Sequence, residues 1–289
     1  MRLGRHMPLH SNAVKAVEIA HNIGCDAIQI FASNPTGWRP SEGNGASCAA
    51  FARATREFDL QPVVIHAPYL INLASPDELI WEKSIGLLQW TLQRGALLGA
   101  AYVVFHTGSH RGSGVEAGIA RIAEAIGRML PETPAEVILL LENDVGAGNS
   151  LGHSFEQLGA TLALLPNYSE RLGVCIDTAH LWGAGHDIAT ASSAQEVLEN
   201  IDQAIGLRRL KVIHLNDTGK ALGSHRDVHA RLGEGIIGEE GIRTVLSDPR
   251  LEHAAVILET PIKTDEQNKE DWEHDKQQIA KARSFMYLY

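Results

Sequence analysis

Cysteine is scarce. The chain has three in 289 residues, Cys25, Cys48 and Cys175, with no CxxC spacing, which argues against a disulfide framework or a Cys-based zinc site. Basic residues are outnumbered, 25 Lys+Arg against 35 Asp+Glu, for a formal net charge of -10. That excludes a broadly basic surface, though not a local site of opposite sign. No apolar run approaches about 18 residues, and the most apolar stretches, Val137–Leu141 and Val256–Leu258, are soon bounded by charge; no membrane partner is expected. The opening MRLGRHMPLH lacks the apolar core of a secretory signal. With the sparse cysteine, this gives a cytoplasmic, reducing setting as the expectation. Low-complexity tracts and compositional breaks are also missing, and 44% hydrophobic residues exclude intrinsic disorder.

What is present is an alternation of short apolar runs and longer amphipathic stretches. The runs predict strands over Arg2–His6, Ala27–Phe31, Pro62–His66, Tyr102–His106, Val137–Glu142, Gly173–Asp177, Leu210–His214 and Val256–Glu259. The stretches predict helices over Ala13–Asn22, Cys48–Phe58, Asp77–Leu98, Gly118–Leu130, Phe155–Leu164, Ala194–Ile205, Glu239–Leu246 and Lys269–Ser284. Eight βα units imply parallel pairing with right-handed crossovers. The expectation is an α/β TIM (β/α)8 barrel, residues 1–289 forming one domain with decorated βα loops after strands one, two and seven. An open doubly wound sheet is the alternative.

The chain also has 14 His, and their positions are informative. Five consecutive strands end in a metal-capable residue, His66, His106, Glu142, Asp177 and His214, and the eighth ends in Glu259. The carboxyl ends of barrel strands share one face, so these six side chains should converge. Two positions earlier stand Val64, Val104, Leu140, Cys175, Val212 and Ile257, which period-two geometry turns to the same side as a barrel-filling layer. Cys175 then reads as a small buried hydrophobe. Each strand-end His alone reads more readily as a hydrogen-bonded loop residue than as a ligand. Six strand ends together are different, because buried carboxylates need compensating cations.

Two loop motifs extend the set. Asp177-Thr178-Ala179-His180 lets a tight turn fold His180 over the same mouth, and in Asp227-Val228-His229 an extended segment points both outer side chains one way. Alone, the second motif reads more readily as a solvated loop than as a site; its place in the seventh βα loop raises the ligand reading. The candidates number nine: five His, two Asp and two Glu. Imidazole with carboxylate and no cysteine suits Zn²⁺, with Mn²⁺ or Fe²⁺ as further options, and nine ligands suit two or three ions sharing a bridging carboxylate. The four carboxylates carry -4; three divalent ions would bring +6 and leave a local cationic pocket suited to a phosphodiester.

On the strings HAPYLINLASP (His66–Pro76), FHTGSH (Phe105–His110), LEN (Leu141–Asn143), GVCIDTAHLWGAGHD (Gly173–Asp187), HLND (His214–Asp217), DVHARLGEGIIG (Asp227–Gly238) and LET (Leu258–Thr260), the chain resembles the endonuclease IV family of apurinic/apyrimidinic-site nucleases. The strings occur in family order over most of the chain. The resemblance implies a TIM barrel holding three zinc ions that nicks double-stranded DNA 5′ to an abasic site and leaves a 3′-hydroxyl, in base excision repair. It implies His66, His106 and Glu142 at the first ion, with Glu142 bridging to a second held by Asp177, His214 and Glu259. His180, Asp227 and His229 would hold the third. It further implies a hydroxide between the first two ions as nucleophile, with Glu142 as the catalytic residue that orients it. Tyr69 and Leu70 match the pair that probes the DNA stack.

In SNPTGWRP (Ser33–Pro40) the family often has an Arg before the Trp. Here Gly37 precedes Trp38 and Arg39 follows, so Trp38 reads equally as a DNA contact or as a loop aromatic on the rim. The RLGEGIIG segment begins a helix, and its amides could hold a phosphate; alternatively Gly233 and Gly235 only make the turn. The rival enzyme is a sugar isomerase or epimerase with a xylose-isomerase-like barrel, which needs only Glu142, Asp177, His214 and Glu259 and one or two ions. A metal-dependent binding module for damaged DNA is a third reading. With no unusually apolar helix face in view, a monomer is expected.

Overall fold

The computed structural model describes residues 1–8, 13–40, 45–264 and 270–286. Eight strands pair in parallel, each with its neighbour in sequence, and the eighth returns to the first to close the barrel. They are β1 (Arg2–His6), β2 (Ala27–Phe31), β3 (Val63–His66), β4 (Tyr102–His106), β5 (Ile138–Glu142), β6 (Leu172–Asp177), β7 (Leu210–Leu215) and β8 (Ala255–Leu258). The expected TIM barrel is therefore the fold, and the open sheet is set aside because β1 and β8 are hydrogen-bonded. Register explains the strand-end pattern: His106 stands beside Glu142 and Asp177 beside His214 across adjacent strands.

Barrel closure separates two apolar clusters. The larger lies between the sheet and the outer helices. The smaller, Ala27, Val64, Val104, Leu140, Cys175, Val212 and Ile257, fills the barrel interior. It contains all six residues expected two positions before the strand-end groups. Gly4 permits the tightest approach in this region: a Cβ there would stand 2.2 Å from the Ala27 carbonyl oxygen. A packed floor of this kind keeps the polar groups above it at the carboxyl-end mouth.

The helices α1 (Ala13–Asn22), α2 (Gly45–Glu57), α3 (Glu78–Leu97), α4 (Val115–Met129) and α5 (Phe155–Ala163) follow the first five strands. A short α6 (Thr178–Ala184) and then α7 (Ala191–Ala204) follow β6, with α8 (Glu239–Ser247) after β7 and α9 (Trp272–Phe285) after β8. Two expectations change. The tight turn at Asp177–His180 is the first turn of α6, whose N-cap is Asp177 itself. The last helix starts at Trp272; Lys269, its expected first residue, lies outside the described residues, as do positions 41–44 of the second loop. Among the described residues, no helix is long and apolar enough to cross a membrane.

Candidate metal centre

The mouth of the barrel gathers the nine expected side chains. His66, His106 and Glu142 form one group whose ligand atoms lie within 4.8 Å of one another. Glu142, Asp177, His214 and Glu259 form a second, and Asp177, His180 and His229 a third. Glu142 belongs to the first two. Its Oε2 lies 3.3 Å from both His66 Nε2 and His106 Nε2, and its Oε1 lies 2.9 Å from His214 Nδ1. Asp227 joins through its Oδ1, 3.3 Å from His180 Nε2 and 3.1 Å from His229 Nε2. The third group closes on Asp177 as well, with Oδ2 3.5 Å from His229 Nε2. The resemblance implies Asp177 in the second group only; its position at the end of β6 and the start of α6 sets it between two.

Local structure orients these groups. Asp177 caps α6 by accepting from the His180 amide at 2.9 Å, which draws His180 back over the mouth. Three imidazoles each spend one ring nitrogen on a neutral acceptor. His66 Nδ1–H donates to the Ala67 carbonyl at 2.7 Å, and His180 Nδ1–H to the Asn143 carbonyl at 2.9 Å. His214 Nε2–H donates to Gln29 Oε1 at 2.8 Å. The opposite nitrogens are left facing carboxylates. A lone pair facing a carboxylate oxygen at about 3 Å is repulsive unless a cation, either a proton or a metal ion, lies between them, and this arrangement of outer partners is how proteins orient histidine ligands.

Two buried atoms of the cluster, Glu142 Oε2 and His229 Nε2, make no hydrogen bond. Orphaned acceptors enclosed by imidazole and carboxylate fit divalent cations of the zinc type. Without metal, protons serve as the cations. Burial pushes the Glu142 carboxyl up, but the surrounding imidazoles, His214 and His106 foremost, outweigh it and hold the group well below the usual carboxylate range. Glu259 is held low in the same way, against burial, by His214 foremost. Burial would lower His180, yet Asp177 and Asp227 raise it well above the usual imidazole range. His214 is raised likewise, against burial, by Glu259 and Glu142. His229 is raised to about 9, burial being outweighed by Asp177 and Asp227. His106 goes the other way, because burial exceeds the pull of Glu142.

Cys175 lies in the barrel floor with its sulfur within 4.8 Å of the ligand atoms of Glu142 and His214. Burial pushes its thiol up to about 12, so it remains a neutral neighbour.

Sequence reasoning passes over four side chains that support the cluster. Asn216 donates from Nδ2 to Asp177 Oδ2 at 2.7 Å, and Asn143 bridges to the Asp177 backbone. Gln29 touches His214, Glu259 and His6. His6, which ends β1 as His66 ends β3, is the one residue of the four that the strand-end pattern could have found. The Gly-rich loop is a correction. The amides of Gly233, Gly235 and Ile237 all donate to the buried carboxylate of Asp217, so they are not available to a phosphate.

The residues expected at DNA divide. Tyr69 is 54% exposed at the mouth, its ring edge-on to His66 and His106. Leu70 is half-buried beside it and Arg39 is exposed. Trp38 is half-buried and packs against the main hydrophobic core, which favours its reading as a rim aromatic. A cavity of about 690 Å³ opens beside the cluster, and Phe31, Tyr69, His229 and Glu259 are among the residues that line it.

Comparison with known proteins bears on this geometry. The model of the xylose isomerase-like TIM barrel family matches residues 17–287. The probable endonuclease 4 of Halothermothrix orenii is 42% identical over 261 residues, covering 90% of this chain and 94% of its own. That of Chloroflexus aggregans is 40% identical over 288 residues, covering 99% and 98%. Among solved structures, endonuclease IV from Thermus thermophilus superimposes with a TM-score of 0.84 at 38% identity over 99% of each chain. The D-psicose 3-epimerase of Clostridium cellulolyticum, with a TM-score of 0.72 and 15% identity over 99% of this chain and 98% of that one, shares the fold alone. The sugar-epimerase reading, which accounts for four of the nine gathered groups, is not favoured.

Proposed function

The chain belongs to the endonuclease IV family, and from that premise we infer that it is a metal-dependent hydrolase that cleaves DNA, and propose that it nicks duplex DNA on the 5′ side of an abasic nucleotide, leaving a 3′-hydroxyl. The observation that supports this most is the gathering of all nine imidazole and carboxylate side chains around one mouth. In the proposal His66, His106 and Glu142 hold one zinc ion, Glu142, Asp177, His214 and Glu259 a second, and His180, Asp227 and His229 a third. Bound divalent ions supply Lewis acidity toward a phosphodiester and generate a nucleophile at neutral pH.

The protein's own part is arrangement and exclusion. Glu142 presents one oxygen to each of two groups, so a single rigid carboxylate fixes the spacing between them. The Ala67 and Asn143 carbonyls keep His66 and His180 in the tautomers that aim Nε2 inward. An acidic chain of net charge -10 would repel DNA; cations concentrated at the mouth reverse that locally. Tyr69, exposed at the mouth, and Leu70 beside it would probe the stack around a displaced nucleotide, and unstacking is least costly where a base is missing. Arg39 lies on the exposed rim as a backbone contact. The whole chain acts as one barrel domain, a monomer in the cytoplasm.

A duplex carrying one abasic analogue tests this. The expected product is a single nick whose 3′ end a polymerase extends directly, with an intact duplex left uncut. Binding without nicking would overturn the proposal in favour of a binding module, and ketose epimerisation without nicking would overturn it in favour of a sugar enzyme.

A further inference from the structure

Gln29 is an amide in the middle of β2, fully buried at the end of the barrel where the metal candidates meet. Its neighbour two residues earlier, Ala27, belongs to the apolar barrel filling. A buried amide without partners costs several kcal/mol, so its bonds show what holds it there. Nε2 donates to Glu259 Oε1, and lies 2.8 Å from His6 Nδ1. Oε1 stands 2.8 Å from His214 Nε2. A carboxylate only accepts, so the nitrogen end of the amide must face Glu259. The oxygen end then faces His214, whose Nε2 must carry the proton. The second amide hydrogen goes to His6 Nδ1, making that nitrogen an acceptor.

We propose that Gln29 is a positioning residue for the cation held by Glu142, Asp177, His214 and Glu259: it fixes His214 as the Nε2–H tautomer and restrains Glu259 through Oε1. Both effects point the same way. With Nε2 protonated, the lone pair of His214 sits on Nδ1, the nitrogen 2.9 Å from Glu142 Oε1 and 3.3 Å from Glu259 Oε2. With Oε1 of Glu259 engaged by the amide, Oε2 is the oxygen left facing that nitrogen. One neutral side chain on β2 thereby orients ligands from β7 and from the end of β8. Removing such outer partners commonly weakens metal affinity about 10- to 100-fold.

This inference rests on the proposed metal reading, and the test separates the two. Metal-free wild-type protein, Gln29→Met and Gln29→Glu are titrated with Co²⁺, followed by calorimetry and visible absorption, and histidine tautomers are read by ¹⁵N NMR on the Zn²⁺-loaded proteins, where no proton competes for His214 Nδ1. Gln29→Met keeps the length and loses both polar ends. It should weaken one of the Co²⁺ sites about 10- to 100-fold, leave the others within twofold, and lose the His214 Nε2–H signal. Gln29→Glu keeps an acceptor for His214 and should retain that signal, so the pair remains informative if the Met variant folds poorly. Unchanged affinities together with an unchanged tautomer in Gln29→Met would overturn the positioning role, as would loss of the signal in Gln29→Glu. Failure of the wild type to take up any Co²⁺ would overturn the metal reading first.

Discussion

Asn143 and Asp177 lock the ends of two adjacent strands to each other. The Asn143 side chain accepts from the Asp177 amide at 2.6 Å and donates to the Asp177 carbonyl at 3.3 Å. The Asn143 carbonyl meanwhile accepts from His180 Nδ1, and the Asp177 carboxylate caps the helix that carries His180. Two residues from different strands therefore hold a third in place before any cation is considered. Asn143→Ala leaves the buried Asp177 amide without its side-chain acceptor and removes a second bond at the Asp177 carbonyl, at about 1–3 kcal/mol for the unmade amide bond. Chemical denaturation should show a loss of that order, with Asp177 and His180 disordered together. A variant as stable as the wild type would contradict the assignment.

Arg5 and Asp275 form a second connection, from β1 to α9. The guanidinium lies 3.0 Å from the carboxylate, both side chains are buried, and the Arg5 amines also reach the Thr260 hydroxyl and carbonyl at 3.0 Å. Thr260 directly follows Glu259, so the pair also steadies that end of the site. Arg5→Met should cost about 3–5 kcal/mol, because it strands a buried charge. The double variant Arg5→Met, Asp275→Leu should recover most of the loss, since an apolar pair carries no desolvation penalty. A double variant no more stable than the single one, by denaturant midpoint, would contradict this.

The charge arrangement gives a pH dependence with a defined sign. His229 is raised to about 9 in the folded chain, where Asp177 and Asp227 outweigh burial, against about 6.5 unfolded. Its stabilising contribution to the metal-free protein is thus complete below about 6.5 and lost as pH climbs through about 9. His180 and His214 shift the same way. Chelator-treated protein should lose denaturant stability between pH 6.5 and 9, and His229→Gln should flatten part of that slope. Cation uptake must expel these protons, so calorimetry in buffers of different ionisation enthalpy should show proton release. A slope of opposite sign, or uptake without proton release, would contradict the arrangement.

The cluster also separates chemistry from folding. Glu142 faces the imidazoles of His66, His106, His180 and His214, above a floor made by Leu140, Cys175 and Val212. Glu142→Gln and His106→Ala should keep the circular dichroism of the parent while nicking falls by orders of magnitude. Wild-type rates in either variant, loaded with metal, would be incompatible with the roles given to them.

Much of this was legible because a closed parallel barrel brings strand ends together. Once eight βα units are read, His66, His106, Glu142, Asp177, His214 and Glu259 converge through topology alone. The interior layer from Val64 to Ile257 follows from the same period of two. What escaped was either short or nonlocal. Helix α6 spans seven residues, too few to show a helical period, and only its capping by Asp177 reveals it. Gln29 lies inside its strand rather than at the end, where an amide gives no sign that it meets residues 185 and 230 positions away. The amides of Gly233 and Gly235 resemble an anion site until Asp217 is seen to occupy them. His6 shows the pattern read at its neighbours, but its strand end meets Gln29 and Glu259 from the side.

In the proposed function the nine gathered groups hold several cations that act together in cutting DNA. Its most direct test follows nicking of an abasic duplex while metal-free protein is reconstituted with Zn²⁺, with elemental analysis at each step. Negligible nicking is expected in the verified metal-free protein, with a rate that saturates as the ratio nears about three ions per chain, the number nine shared ligands suit. Full activity without metal, or saturation at a single ion, would contradict it.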